Sequence, residues 1–128
     1  MKINPDCVRD ILIHIEGFEY DSVHNIDQMC SELPNYSYEE LDYHCLYLYE
    51  AGFIKASTVN ICGGYLPKVS RVYDLTYQGH QFLEDIRPDN VWSKTKDYAK
   101  KLGSFSINTL STIATEVITS LIQKNLGV

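Results

Sequence analysis

The apolar residues change period twice, and those two switches limit the fold more than any other feature of the chain. Up to Gly52 they recur at helical spacing; from Phe53 to Leu75 they sit in β-branched, extended runs; after Thr76 the helical spacing returns. Asn4-Pro5 reads as a helix cap followed by proline at the first helical position, and Val8, Ile11, Leu12 and Ile15 form an inward stripe that Gly17 ends. Ile26, Met29, Cys30 and Leu33 predict a second helix stopped by Pro34. Ser37-Tyr38-Glu39-Glu40 is a capping-box sequence, and it opens a third helix with an inner stripe of Leu41, Cys45 and Leu48 that closes at Gly52.

Phe53 to Ile61 and Val69 to Leu75 then predict a β-hairpin whose long tip is Cys62 to Lys68, turning at Gly63-Gly64. Thr76 caps a fourth helix with Phe82, Leu83 and Ile86 inward, and Pro88 ends it. Asp89 is expected to cap a fifth helix carrying Val91, Trp92, Tyr98 and Leu102, stopped by Gly103. Ser104 or Ser106 begins a last helix running to about Leu126. The expected fold is therefore mainly α with a small β-hairpin, an α+β class. Three helices, a hairpin and a helix in this order make a winged helix-turn-helix over residues 1–87. Residues 88–128 form a helical extension that either packs on this core or mediates dimerisation.

The chain has 128 residues, 45% of them hydrophobic, which suits one domain able to fold without staples. The first apolar run is broken by Arg9, Asp10 and His14, so no secretory signal is read there. The weakly charged stretch from Leu102 to Ile122 is rich in Ser and Thr and does not read as a membrane span, so a cytoplasmic protein is expected. Cys7, Cys30, Cys45 and Cys62 form no C-x-x-C pair and read as buried free thiols. Their spacing to His14, His24 and His44 matches no zinc site, so no metal is predicted.

The opening Met1-Lys2-Ile3-Asn4-Pro5-Asp6-Cys7-Val8-Arg9-Asp10-Ile11-Leu12 resembles an uncharacterised family of small proteins. So do Tyr73 to Leu83, Trp92-Ser93-Lys94-Thr95-Lys96 and Leu102 to Ser106. That family is labelled only as a domain of unknown function and is found in Gram-positive bacteria and their phages and prophages. The segment Leu75 to Leu83 also looks like the end of the wing in winged-helix regulators. The resemblance implies a fold and a mobile-element setting, and no mechanism.

No catalytic constellation is legible. Phosphate-binding, metalloprotease and nucleophile-elbow motifs are absent from the sequence. Neighbouring Glu39 and Glu40, or His44 and Cys45, point about 100° apart on a helix and do not converge on one atom. The expectation is a protein that is not an enzyme, has no catalytic residues and needs no cofactor.

Charge separates the remaining classes. Residues 1–54 hold eleven acids and two bases, and no Lys or Arg occurs from Asp10 to Ile54. Residues 55–128 hold nine bases and six acids. A DNA-reading helix leans on Lys, Arg, Asn and Gln, and Ser37 to Ala51 contains none of them. Its outward residues, Glu39, Glu40, Tyr43, Tyr47 and Glu50, suit a protein partner from host or phage. Tyr36, Tyr38 and Tyr49 add to the same tyrosine-rich stretch. The alternative is a transcriptional regulator that meets DNA through the wing, by Lys55, Lys68 and Arg71, and through a basic cluster of Lys94, Lys96, Lys100 and Lys101 on the fifth helix. On the last helix, Ile107, Leu110, Ala114, Val117 and Leu121 follow heptad spacing and supply either intramolecular contacts or a homodimer interface. A membrane-surface role is disfavoured because the polar face of that helix lacks the usual Lys and Arg.

Overall fold

Local caps set the element boundaries. The computed structural model describes residues 1–127. Asn4 Oδ1 accepts the Asp6 and Cys7 N–H groups, Pro5 takes the first helical position, and helix α1 follows over Pro5–Glu16. Helix α2, Ile26–Glu32, starts from a reciprocal capping box between Asn25 and Gln28. Helix α3, Tyr38–Glu50, starts from the expected box between Ser37 and Glu40. Strands β1 (Ile54–Val59) and β2 (Lys68–Leu75) pair antiparallel from Ile54↔Leu75 to Val59↔Lys68. Helix α4 is Tyr77–Ile86, α5 is Asp89–Leu102 and α6 is Ile107–Leu126.

The hairpin and the start of α5 differ from expectation: β1 begins at Ile54 and β2 already at Lys68. Strand β1 ends at Val59, because Val59 is the last residue with a partner on β2. The tip therefore runs from residue 60 to 67 and turns where Gly63 adopts φ 82° and the Gly64 N–H bonds to the Ile61 carbonyl. At the start of α5 the N-cap is Pro88, which offers no side-chain bond, and Asp89 lies inside the first turn. Its carboxylate is taken by Arg9, 3.0 Å away, rather than by the helix backbone.

Helix α1 is the hub. It packs against α3, α4, β2 and α6, and Cys7, Val8, Ile11, Leu12 and Ile15 are fully buried there. Each such aliphatic side chain contributes about 1.5–3 kcal/mol of burial. Between α1 and α2, His24 makes a single antiparallel bridge to Val72, so the connection adds a short third segment beside β2. A short turn at Pro34–Asn35 then leads from α2 into α3. Gly79 sits so close to the Phe53 carbonyl that a Cβ would lie 2.0 Å from that oxygen, and this contact clamps α4 on the start of the hairpin.

The same apolar cluster continues into α5 and α6 through Trp92, Ala99, Ile107, Leu110 and Ala114. The Trp92 indole N–H donates to Asp6 Oδ1 at 2.9 Å, which fastens α5 to the first turn of α1. Residues 88–127 thus share one core with residues 1–87. No helix among the described residues is long and apolar enough to cross a membrane.

Candidate functional site

The capping box that starts α3 commits Glu40. Its carboxylate accepts the Ser37 N–H at 3.1 Å, and its carbonyl accepts from His44 Nδ1 at 2.7 Å. His44 Nε2 in turn accepts the Asn4 N–H at 2.8 Å, so both ring nitrogens serve backbone groups and the ring is the neutral Nδ1–H tautomer. Burial holds its pKa below the usual histidine value, opposed by the bond to Glu40. Cys45 beside it is wholly buried, and burial pushes its thiol pKa far up. The pair offers neither a free base nor a thiolate.

One turn along α3, buried Asp42 accepts the Val69 N–H at 2.8 Å. This bond ties the start of β2 to the middle of α3 and fixes how far the hairpin stands from the helix. The gap between them is a cleft of about 320 Å³. Tyr43 and Leu46 line it on the α3 side and Tyr65, Leu66 and Pro67 on the hairpin side, with Glu39 of α3 and Lys68 of β2 as its exposed charges. Ile61, Tyr65 and Leu66 are exposed at the tip, an apolar knob beside an acid.

The tyrosine patch expected on α3 is largely tied up. The Tyr36 hydroxyl donates to Asp10 Oδ2 at 2.6 Å, and the Tyr43 hydroxyl donates to the Met1 carbonyl at 2.8 Å. Tyr43 and Tyr47 meet edge to face at 4.7 Å, and Tyr47 is half-buried against the core. Tyr38 carries the Lys68 ammonium 5.8 Å above its ring. The five outward residues do not make one face. Glu39 and Tyr43 border the hairpin cleft, while Tyr47 and Glu50 border a second cleft beside Ile3, Ser106 and Ile107. The edge-to-face tyrosines stand between the two, Tyr43 on one cleft and Tyr47 on the other.

The basic residues divide similarly. Lys55 and Arg71 are exposed on the hairpin. On α5 the four lysines have different surroundings. Lys96 lies 3.0 Å from Asp6 and over the Trp92 ring, Lys94 and Lys101 border a groove against α6, and Lys100 is free in solvent. Of the α6 stripe, Ile107, Leu110, Ala114 and Val117 are buried within the chain, and Leu121 is half-buried. Those four make the intramolecular contacts that were one of the two readings of this stripe.

Cys7 and Cys45 are buried as expected, Cys30 is half-buried, and Cys62 corrects the expectation by standing exposed at the hairpin tip. All four are free thiols. Among the described residues no three His, Cys, Asp or Glu side chains are arranged to hold a metal ion. Sequence reasoning missed Asp42 and the apolar tip. Asp42 directly follows a stripe residue, Leu41, and Tyr65-Leu66 is an apolar pair in a loop; those were the available signals.

A family model described as "Hypothetical protein (DUF2513)" matches residues 2–106. An uncharacterized protein of Haemophilus influenzae is 29% identical over 127 residues, covering 95% of this chain and 99% of that protein. No solved structure matches the chain.

Proposed function

The chain belongs to the DUF2513 family, and we propose that it is a non-enzymatic winged-helix module of phage or mobile-element type that binds a protein partner in the cleft between α3 and the hairpin tip. The winged-helix assignment is supported by the element order α1-α2-α3-β1-β2-α4, by the short turn between α2 and α3, and by the bridge from His24 to β2. The observation that carries the partner reading is the cleft itself. It combines exposed Tyr65 and Leu66, the Tyr43 ring and the Glu39 carboxylate. An apolar anchor between Glu39 and Lys68, which lines the cleft as well, matches a partner segment that presents an apolar side chain flanked by charged ones.

Glu39 and Glu50 are exposed on α3, and that helix carries no cation to offset them. Phosphates approaching it would meet like charge. The experiment is affinity capture from host lysate with and without nuclease, using the wild-type chain, Glu39→Arg and Leu66→Asp. A protein retained after nuclease and lost with both variants supports the reading. Retention unchanged by both variants would remove the cleft from consideration.

A second reading, a DNA-binding regulator, draws on Lys55 and Arg71, which stand exposed on the hairpin. With Lys96 engaged by Asp6, α5 adds less to it than the sequence implied. A sequence-specific duplex shift at nanomolar protein and physiological salt, abolished by Arg71→Ala and Lys68→Ala, would favour this reading over the first.

A further inference from the structure

A groove of about 400 Å³ runs between α5 and α6, lined by Tyr98, Leu102, Ile113, Val117 and Leu121. Leu102 is 70% exposed and Tyr98 50% exposed, so part of this lining stands in water. The two walls carry opposite signs, Lys94 and Lys101 on α5 and Glu116 on α6. The geometry points to a second copy of this chain as the occupant, with α6 of each copy lying antiparallel across the α5–α6 groove of the other.

The charges of α6 complement themselves in that arrangement. Glu116 and Lys124 lie equally far on either side of Ser120. A twofold axis at Ser120 therefore sets Glu116 of each copy level with Lys124 of the other, giving the reciprocal pairs that an isologous contact requires. Glu116 and Lys124 are both exposed, and neither has an ion-pair partner within the chain among the described residues. Ser120 itself borders the groove, and a small side chain at the crossing point lets the two helices approach. The same axis brings the end of the second copy's α6, capped by Gly127, level with Ile113, which lines the groove together with Lys101. A lysine there meets the partial negative charge of a helix C-terminus. An anionic amphiphile would satisfy the two lysines but would be repelled by Glu116; a second α6 answers both signs.

The test is sedimentation equilibrium of the full chain over a wide concentration range at low and high salt. The variants are Glu116→Lys, Lys124→Glu, the double reversal and Leu102→Glu. All three positions are exposed, and a thermal melt of each variant checks that the fold is kept. The wild type is expected to dimerise, more weakly as salt rises. Each single reversal turns two attractive pairs into two repulsive ones and is expected to raise the dimer dissociation constant about ten-fold or more. The double reversal restores it, and Leu102→Glu gives a monomer without touching the ion pairs. A wild type that stays monomeric at every concentration overturns the proposal. So does a dimer indifferent to both single reversals, or a double reversal that fails to rescue.

Discussion

Asp42→Ala tests whether one buried carboxylate holds the cleft open to its observed width. Asp42 is 8% exposed and its Oδ1 accepts the Val69 N–H at 2.8 Å. Val69 is itself buried, so truncation leaves a backbone donor with no partner and little water. An orphaned buried donor costs about 1–3 kcal/mol. Removing the carboxylate also removes its own desolvation cost, so a net loss of about 2 kcal/mol is the central expectation. At about 2.1 cal/mol/K of unfolding entropy per residue, a chain of 128 residues has about 0.27 kcal/mol/K. The melting temperature should therefore fall by about 7 °C. Asp42→Asn keeps an oxygen in the same position and should lose less than half as much. Thermal denaturation followed by far-UV circular dichroism gives the stability, and amide hydrogen exchange at Val69 reports the bond itself. Glu39→Gln is the exposed control and should stay within about 0.5 kcal/mol of wild type. A Val69 amide equally protected in wild type and Asp42→Ala, with an unchanged melting temperature, would refute the reasoning.

Burial depresses the pKa of both His44 and His14, opposed at His14 by Glu32. The folded state therefore binds fewer protons than the unfolded chain, so stability is full above the unfolded value of 6.5 and declines as pH falls below it. Urea midpoints should drop between about pH 7.5 and about pH 5.5, and His44→Gln should shrink that drop; a flat profile would contradict the assignment. Glu16 is held low by its bonds to Arg87, and its contribution goes only as pH falls below about 4.5, which separates it from the histidines. Under native conditions a thiol reagent should label Cys62 first, while Cys7, whose pKa burial pushes up to about 12, and Cys45 should react only on unfolding. All four should label once denatured, and a protected pair would reveal a disulfide. Gly79→Ala drives a methyl group into the Phe53 carbonyl and should cost about 1–3 kcal/mol or more, read as a lowered melting temperature; an unchanged melt would mean that α4 can slide away from the hairpin at no cost.

Helix α3 marks where the sequence stops being sufficient. Its stripe of Leu41, Cys45 and Leu48 was readable because helical spacing needs only one buried face, and all three are fully buried. Asp42, His44 and Leu46 are buried as well, since α3 is covered by α1, α2 and both strands at once. Periodicity within one helix holds no record of how many neighbours will cover it. Caps behave differently, because their partners lie within four residues. The boxes at Ser37 and Asn25 are both present, and the second, although overlooked, was written as plainly in Asn25-Ile26-Asp27-Gln28 as the first. Asp89 had the right chemistry for a cap and lost the role to a partner far away in sequence, Arg9. The tyrosines fall on the same divide, since Tyr43 reads as outward until the distant Met1 carbonyl engages its hydroxyl. Net charge along a segment needs no such partner. The run without Lys or Arg from Asp10 to Ile54 therefore leaves α3 acidic whatever covers it, and Glu39 and Glu50 remain in solvent after folding. The charge that disfavours phosphate at α3 is therefore legible in the sequence alone, whereas the shape of the cleft depends on the distant bond from Val69 to Asp42.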